Sequence, residues 1–576
     1  SHTAKMAVDD AARAADPAPK NPGWAVHKFG GTSVQSASAM CQVRDIVATI
    51  AEDHDGPMTV VVSAMGGKPK VTDMLIDTVH AAAAGKLAEV DELIGAIQRK
   101  HEEAIAKLIP DEAQAEARES LVGVLRSDLS DIRHLLRAVS LMRCADPKVV
   151  GVISGYGEQW SARMMAALLS ASRTPPGGSA WQYLDARGVI VVDQDVSTGA
   201  AIAWDESEAR LKAVVAKHPG MSFVATGFIA CTRDGAVTTL GRDGSDLSAS
   251  VFGRLLEAAG VTIWTDVSGV LSADPRVVSD AYVLPEVSYN EAAELAYFGA
   301  KVVHPKTMQP ALARLDWRPD ARSIPIFIRN TFRPRDAGTR IFETSALTTE
   351  REVCGVSAMR GMSLINVRGR GMVGIPGVSS RLFGALHRMG VNVSAIAQAS
   401  SEQSISVAVL AADGDRARDA LRDVFRTEIH VGHIEDVELE NDVAIIAVVG
   451  DGMSRRPGVA GKVMGAMGQA RVNIRAIAQG SNETNITALV AGNDALRALR
   501  AVHAAFLATL PLAVGIVSTS TAVANSILTT FRDNEKITEE RHGVRARVRA
   551  VLQMPAADAA APGCAGQRHS ATAGGS

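Results

Sequence analysis

Three glycine-rich turns in the first half of the chain could bind an anion. The first contains Gly30 and Gly31 and follows Lys28, the second covers 63–67, and the third covers 241–246. Glycine lets backbone N–H groups approach a ligand closely, and the N-terminus of a following helix attracts negative charge. The turns therefore predict a phosphate or carboxylate site. Each one alone is equally typical of an ordinary turn, and the P-loop string G-x-x-x-x-G-K-[ST] does not occur.

Charged side chains beside these turns would complete such a site. Lys28 supplies a point charge suited to a phosphate, and the planar fork of Arg242 suits a carboxylate. Glu158 begins a predicted helix after Gly157 and could hold an ammonium group. The alternatives are that Glu158 is an ordinary first-turn carboxylate and that Arg242 is a solvated turn residue.

Strands and helices alternate along the part of the chain that carries these residues. Predicted strands cover 24–28, 58–63, 149–154, 189–192, 222–227, 261–266 and 324–328. Predicted helices cover 36–50 and 158–170, and the charged stretch 73–146 is helical in period. Such alternation predicts an α/β layer fold with a largely parallel sheet.

The second half of the chain contains an internal repeat with an offset of 81 residues. Val-Asn-Val-Ser-Ala-Ile-Ala-Gln at 391–398 matches Val-Asn-Ile-Arg-Ala-Ile-Ala-Gln at 472–479, and Pro-Gly-Val precedes a helix in both copies. Each copy reads strand, glycine loop, helix, strand, turn, strand, helix and strand, which is the order of a ferredoxin-like unit. Two copies are too few for a solenoid, so we expect an intramolecular pair.

Composition excludes several classes of protein. The 576 residues suggest three or four domains, and 47% apolar residues can fill several cores. A net charge of −3 argues against a dedicated nucleic-acid binder. The five cysteines are odd in number and widely spaced, which disfavours a disulfide framework or a zinc site and favours a reducing compartment. No apolar run is long enough for a membrane span, and no metal-ligand cluster is predicted.

Seven motifs in register resemble aspartate kinase, an enzyme of the amino-acid-kinase fold. They are Lys-Phe-Gly-Gly-Thr-Ser at 28–33, Val-Ser-Ala-Met-Gly-Gly at 62–67, Gly-Glu-x-x-Ser-Ala at 157–162, Gly-Arg-Asp-Gly-Ser-Asp at 241–246, Trp-Thr-Asp-Val at 264–267, Ala-Asp-Pro-Arg at 273–276 and Phe-Gly-Ala-Lys-Val-x-His-Pro at 298–305. The resemblance implies an α/β/α sandwich at 24–345, followed by two ferredoxin-like ACT domains at 355–430 and 440–505. We expect a flexible lead at 1–23 and a disordered tail at 553–576.

The resemblance also implies roles for individual residues. Lys28 and Asp246 would be catalytic. Ser63 would line the phosphate path, Glu158 would hold the α-ammonium of L-aspartate, and Arg242 its α-carboxylate. The implied nucleotide-binding residues are Gly30, Gly31, Thr265, Asp266, Arg276 and Lys301. One departure is Leu271, which stands where the family often has tyrosine and which can pack on adenine but cannot stack or hydrogen-bond with it.

The implied reaction uses ATP and Mg²⁺ to phosphorylate the side-chain carboxylate of L-aspartate. The product, 4-phospho-L-aspartate, is the first intermediate of lysine, threonine and methionine biosynthesis. The nucleophile is already ionised at neutral pH, so no general base is needed, and His304 is expected to be structural. The alternatives are another acyl-phosphate-forming kinase, such as a glutamate or acetylglutamate kinase, and a catalytically dead amino-acid sensor.

A closer resemblance is to the bifunctional aspartate kinase–homoserine dehydrogenase. Residues 510–552 then correspond to a truncated dinucleotide-fold remnant, and no dehydrogenase activity is expected because no glycine lies between Gly515 and Gly543. Gln398 and Gln479 match positions of threonine sites, so threonine is the expected allosteric inhibitor, with lysine as the alternative. The resemblance further implies a homodimer or larger assembly through the ACT domains and location in a plastid, or alternatively in a bacterial cytoplasm.

Overall fold

The computed structural model describes most of the chain in two units, 1–505 and 506–576. The described residues are 23–110, 114–171, 180–193, 201–241, 243–300, 303–312, 322–343, 351–399, 401–507, 510–518, 522–523, 525–531 and 544–553. The predicted lead at 1–23 and the predicted tail at 553–576 therefore lie almost wholly outside them.

The first 343 residues contain twelve strands and ten α-helices among the described residues. The strands are β1 (Ala25–Phe29), β2 (Met58–Val62), β3 (Trp181–Leu184), β4 (Val191–Asp193), β5 (Ala201–Ile202), β6 (Ser222–Thr226), β7 (Ile229–Thr232), β8 (Val237–Thr239), β9 (Gly260–Thr265), β10 (Glu286–Ser288), β11 (Ile326–Asn330) and β12 (Thr339–Phe342). The helices are α1 (Ala37–Asp53), α2 (Val71–Ala83), α3 (Leu87–Leu108), α4 (Ala115–Met142), α5 (Pro147–Ser154), α6 (Tyr156–Ala171), α7 (Trp204–Lys217), α8 (Gly244–Leu255), α9 (Tyr289–Tyr297) and α10 (Pro305–Met308).

Eight of these strands form the main sheet, in the order β10-β12-β11-β9-β1-β2-β6-β3. Neighbouring strands are parallel except for β11 and β12. A second sheet has the order β5-β4-β7-β8. Val60 and Val62 pack into the core formed with α1 to α6, whereas Val61 packs into the core on the opposite face, which includes residues of α7 to α10. The predicted α/β/α sandwich is therefore confirmed.

The predicted strand at 149–154 is wrong, because these residues form helix α5. Asp146 caps the helix by accepting the backbone N–H of Lys148 at 2.7 Å, and Pro147 occupies the first helical position. A short apolar run fits a buried strand and a buried helix equally well, so the capping residues before it are the signal that distinguishes a helix from a strand. The stretch 73–146 is helical as expected and divides into α2, α3 and α4.

The second half of the first unit consists of the two repeats. Its elements are β13 (Gly355–Arg368), α11 (Val378–Arg388), β14 (Val393–Gln398), β15 (Ser404–Leu410), α12 (Gly414–Val424), α13 (Arg426–His430), β16 (Asp436–Val449), α14 (Val459–Gln469), β17 (Ile474–Gln479), β18 (Asn485–Ala491) and α15 (Ala495–Phe506). They form one six-stranded sheet, in the order β14-β15-β13-β16-β18-β17.

The two ferredoxin-like units share their central strands. β13 and β16 have 14 residues each and pair antiparallel along their length. The second half of β13 pairs with β15, whereas the second half of β16 pairs with β18. Each unit therefore completes its sheet with part of a strand from the other, and the paired arrangement expected from the repeat is confirmed.

The second unit contains a parallel pair of strands, β19 (Leu510–Ser518) and β20 (Val544–Gln553). Helical residues at 525–531 lie between them in the sequence. Strand, helix and parallel strand is the predicted order, and its origin as a dinucleotide-fold remnant stays a prediction. Among the described helices of the whole chain, none combines the length and the apolar character needed to cross a membrane.

Candidate functional site

The candidate site lies at the carboxyl edge of the main sheet. Strands β1, β2, β6 and β9 are parallel neighbours, so the turns that follow them meet at one edge. The backbone N–H of Gly30 donates to the carbonyl of Trp264 at the end of β9, and that of Gly227 donates to the carbonyl of Val62 at the end of β2. Ligands of open α/β sheets bind at this edge.

The first two glycine turns are in direct contact. The backbone N–H of Gly66 donates to the carbonyl oxygen of Gly31 at 2.9 Å. A Cβ atom on Gly66 would lie 2.4 Å from the same oxygen, a distance that real Cβ atoms do not adopt. Glycine at position 66 is therefore required by the close approach of the two turns, which a side chain would force apart.

Lys28 and Asp246 form an ion pair in the middle of this edge. Lys28 is the penultimate residue of β1, Asp246 lies in the first turn of α8, and Lys28 Nζ is 2.5 Å from Asp246 Oδ1. The two side chains are only 10% and 16% exposed. The two residues that the sequence predicts to be catalytic are therefore ion-paired with each other, and the pairing fixes the direction of the lysine side chain.

Glu158 lies beside this ion pair and is 4% exposed. Burial raises the pKa of its carboxyl group to about 8, against the opposing effects of hydrogen bonds from the backbone N–H groups of Ala64 and Glu158 and of the positive charge of Lys28. Its Oε2 atom has no hydrogen-bond partner among the described residues. A buried carboxyl with an unpartnered oxygen has the chemistry to accept a cationic ligand.

Ser63 connects the second glycine turn to α8. Ser63 Oγ donates to Ser245 Oγ at 2.8 Å, and Ser245 directly precedes Asp246. Gly227 packs against the same serine, because a Cβ atom at Gly227 would lie 2.6 Å from Ser245 Cβ. The structure thus brings Lys28, Ser63, Glu158 and Asp246 together around the paired glycine turns.

The expected nucleotide residues are more widely distributed. Thr265 ends β9 and its Oγ1 donates to Asp266 Oδ1 at 3.2 Å. Arg276 lies on the long loop after β9, is 85% exposed and pairs with Asp274. No hydrogen bond or ion pair within the described residues joins Arg276 to the Lys28–Asp246 pair.

Other expected residues fall elsewhere. Arg242 and Lys301 lie outside the described residues. Gln398 and Gln479 are exposed at the ends of β14 and β17, in the second half of the chain. His304 caps α10, where its Nδ1 accepts the backbone N–H of Lys306, in agreement with a structural role.

Sequence reasoning missed Lys100. Its Nζ donates to the carbonyl oxygens of Gly66 at 2.6 Å and Pro69 at 3.2 Å, so it fixes the second glycine turn from α3. Burial lowers the pKa of Lys100. Nothing in the charged sequence of α3 distinguishes this lysine from its neighbours.

The arrangement suits the binding of a phosphate beside an amino acid. Lys28 and the glycine-turn amides can neutralise phosphate oxygens, and Glu158 can receive an ammonium group. Within the described residues no three His, Cys, Asp or Glu side chains come close enough to hold a metal ion. Asp246 could contribute a carboxylate oxygen to a Mg²⁺ ion, which keeps most of its ligands as water and nucleotide phosphate oxygens.

Two family models match the chain. One described as "Amino acid kinase family" matches residues 23–330, and one described as "ACT domain" matches 365–425 and 446–506. The chain is 38% identical over 535 residues to the chloroplastic bifunctional aspartokinase/homoserine dehydrogenase 1 of Arabidopsis thaliana, which covers 92% of this chain and 56% of that relative. The chain thus spans little more than half the length of that relative.

Solved structures of E. coli aspartokinase III are also similar. The complex with aspartate and ADP has a TM-score of 0.64 at 28% identity, and the complex with lysine and aspartate has a TM-score of 0.63 at 29% identity. Each covers 84% of this chain and 99% of the solved chain.

The raised pKa of Glu158 predicts a dependence of stability on pH. The folded pKa of about 8 exceeds that of an unfolded glutamate, about 4.3. Between these two pH values the folded chain therefore binds more protons than the unfolded chain. The stability that this carboxyl group contributes is fully present below the unfolded pKa and is lost as pH rises through the folded pKa. We expect Glu158→Gln to gain stability relative to wild type, on the order of a few kcal/mol, between about pH 5 and about pH 9.

Thermal melting of both proteins over that pH range measures this difference. Glu103→Gln, which changes an exposed glutamate of α3, is the control and should follow wild type at every pH. A difference between Glu158→Gln and wild type that stays constant with pH would contradict the raised pKa.

Proposed function

The chain belongs to the amino acid kinase family and carries two ACT domains, and from that premise we propose that it is an aspartate kinase. It transfers the γ-phosphoryl group of ATP to the side-chain carboxylate of L-aspartate. The observation that carries the proposal is the meeting of Lys28, Ser63, Glu158 and Asp246 around the paired glycine turns. Its similarity to an aspartokinase with aspartate and ADP bound supports the choice of substrates.

Positioning and charge neutralisation account for most of the catalysis. Lys28 neutralises negative charge on the transferring group, and Asp246 holds the lysine at the end of β1. Gly30 and Gly31, in the turn that follows β1, line the same phosphate groups in this proposal. Mg²⁺, when bound with ATP, supplies further charge neutralisation. The aspartate carboxylate attacks without a general base because it is already ionised.

Glu158 binds the α-ammonium group of aspartate, and Arg242 binds its α-carboxylate. An ammonium group beside Glu158 favours the ionised carboxylate, opposite to the effect of burial. Aspartate binding near neutral pH therefore releases a proton from Glu158. Thr265, Asp266, Arg276 and Lys301 belong to the nucleotide half of the site in this proposal.

The ACT pair regulates the kinase by binding an amino acid. Gln398 and Gln479 end equivalent edge strands in the two repeats, and an amide can donate to a ligand carboxylate and accept from its ammonium group. We propose threonine as the effector. Lysine is the alternative, and a related aspartokinase has been solved with lysine. Plastid location is proposed from the chloroplastic relative, and assembly through the ACT domains from the presence of the pair.

Removal of Lys28 tests the catalytic half of this proposal. Lys28→Ala should lower kcat by about 10²–10³ or more, because an electrostatic donor to the transition state is lost. Aspartate-dependent ADP release measures the effect. Lys148→Ala, which changes an exposed lysine of α5, should retain the wild-type rate. Near-normal kcat in Lys28→Ala would remove Lys28 from the mechanism.

Removal of Arg242 tests the assignment of the amino-acid half. Arg242→Ala should raise the KM for aspartate by about tenfold to a hundredfold, because a charge-assisted clamp acts in the ground state and the transition state alike. The KM for ATP should change little. Arg233→Ala, whose guanidinium pairs with Asp193 and Glu206, is the control. A collapse of ATP affinity with unchanged aspartate affinity would reverse the assignment of the two half-sites.

Removal of the two glutamines tests the regulatory half. Gln398→Ala and Gln479→Ala should each weaken inhibition by threonine, by up to about 1–3 kcal/mol of coupling, and leave the uninhibited rate unchanged. Titration of each variant with threonine and with lysine measures this. Gln469→Ala, at the exposed end of α14, is the control. A wild type indifferent to both amino acids would refute the regulatory proposal, and variants inhibited as strongly as wild type would exclude the glutamines.

A further inference from the structure

The last helix of the second ACT repeat contacts the loop that follows β9. This loop runs from Asp266 to Pro285 and carries the pair of half-buried Asp274 and exposed Arg276. Arg500 Nε donates to the backbone carbonyl of Val277 at 2.8 Å. A second contact comes from His503, three residues further along α15. Its Nε2 lies 3.0 Å from Ser272 Oγ.

Ser272 closes the base of the loop. Its N–H donates to the carbonyl of Tyr282 at 2.9 Å, its Oγ accepts the N–H of Tyr282 at 3.1 Å, and its carbonyl accepts the N–H of Val356 at 2.9 Å. Because Oγ already accepts from Tyr282, its own proton is available to His503. One serine thus connects both sides of the loop, strand β13 and helix α15.

The His503 imidazole is suited to accept a hydrogen bond from this hydroxyl group. It is 1% exposed, and burial lowers the pKa of its imidazole while the negative charge of Asp280 opposes the shift. A neutral imidazole that accepts at Nε2 carries its proton at Nδ1. The contact is a buried hydrogen bond between neutral groups, typically worth about 0.5–1.5 kcal/mol.

The contacts hold two different parts of the loop. His503 fixes the base at Ser272, whereas Arg500 fixes the tip at Val277, next to Arg276. Elsewhere on α15, Ala495, Ala498 and Val502 are buried. The two hydrogen bonds therefore join one helix of the second repeat to two positions of the loop.

We propose that Arg500 and His503 are positioning residues for the nucleotide, because they hold the loop that follows β9. Neither residue touches the nucleotide; both hold the loop that carries Arg276. The inference rests on the proposed function, in which this loop forms part of the ATP site. It adds that these two residues act on ATP affinity and not on aspartate affinity or on the transfer step.

Three variants test this inference. Arg500→Ala and His503→Leu should each raise the KM for ATP and the Kd for MgATP by roughly threefold to tenfold, the equivalent of one lost hydrogen bond. The KM for aspartate and the kcat at saturating ATP should stay within about twofold of wild type. Arg500→Lys, which keeps a donor for Val277, should recover part of the ATP affinity.

The control is Arg497→Ala on the same helix. Arg497 Nη2 bonds Asp494 Oδ1 at 2.6 Å and the carbonyl of Arg471 at 3.2 Å, both within the second repeat. Its removal should leave ATP affinity unchanged. Arg500 is exposed, so its replacement preserves the buried face of the helix, and melting temperatures of the four variants identify any loss of folding.

Calorimetric titration of MgATP into the purified full chain separates failure of this inference from failure of the proposed function. A wild type that binds MgATP but does not phosphorylate aspartate would refute the proposed function, and the Kd values would still decide the role of the two residues. Wild-type Kd values in both Arg500→Ala and His503→Leu would overturn the inference. An equal loss of affinity in Arg497→Ala would also overturn it, because the effect would then come from the helix as a whole.

Discussion

The parallel pairing of β1 with β2 and β9 is the constraint on which the candidate site depends. It brings the turns after these strands to one edge, where the carbonyl oxygen of Gly31 receives the N–H of Gly66 at 2.9 Å. Only glycine allows this approach at position 66. The resulting edge presents backbone amides and the end of β1, so that Lys28 projects where the turns meet. A sheet in a different order would separate the same residues.

The electrostatics of this edge follow from burial. Lys28 has Asp246 as a close partner, whereas Glu158 has only backbone amides and the more distant charge of Lys28. The lysine thus has a carboxylate partner within the protein, whereas the glutamate is left with a raised pKa and an unpartnered oxygen. An ammonium group bound beside Glu158 would favour its ionised form. Binding of the aspartate ammonium group and ionisation of Glu158 are therefore coupled in this account.

Local patterns explain how far the sequence could predict the structure. The glycine turns and the 81-residue repeat are short-range signals, and they led to Lys28, Ser63, Glu158 and the paired ferredoxin-like units. The apolar run in α5 was wrongly predicted as a strand, although Asp146 and Pro147 before it are helix-start signals. Lys100 and His503 could not be found, because their contacts with Gly66 and Ser272 join residues 34 and 231 positions apart. Such contacts depend on how helices pack, which no spacing in the sequence encodes.

The central claim is that this edge of the sheet phosphorylates aspartate. Trapping of the acyl phosphate with hydroxylamine, with aspartate, glutamate and N-acetylglutamate supplied in turn with MgATP, tests it most directly. The account predicts a hydroxamate and a stoichiometric amount of ADP with aspartate, and no hydroxamate with glutamate or N-acetylglutamate. A hydroxamate formed from glutamate or N-acetylglutamate instead of aspartate, or nucleotide binding with no hydroxamate from any of the three, would contradict it.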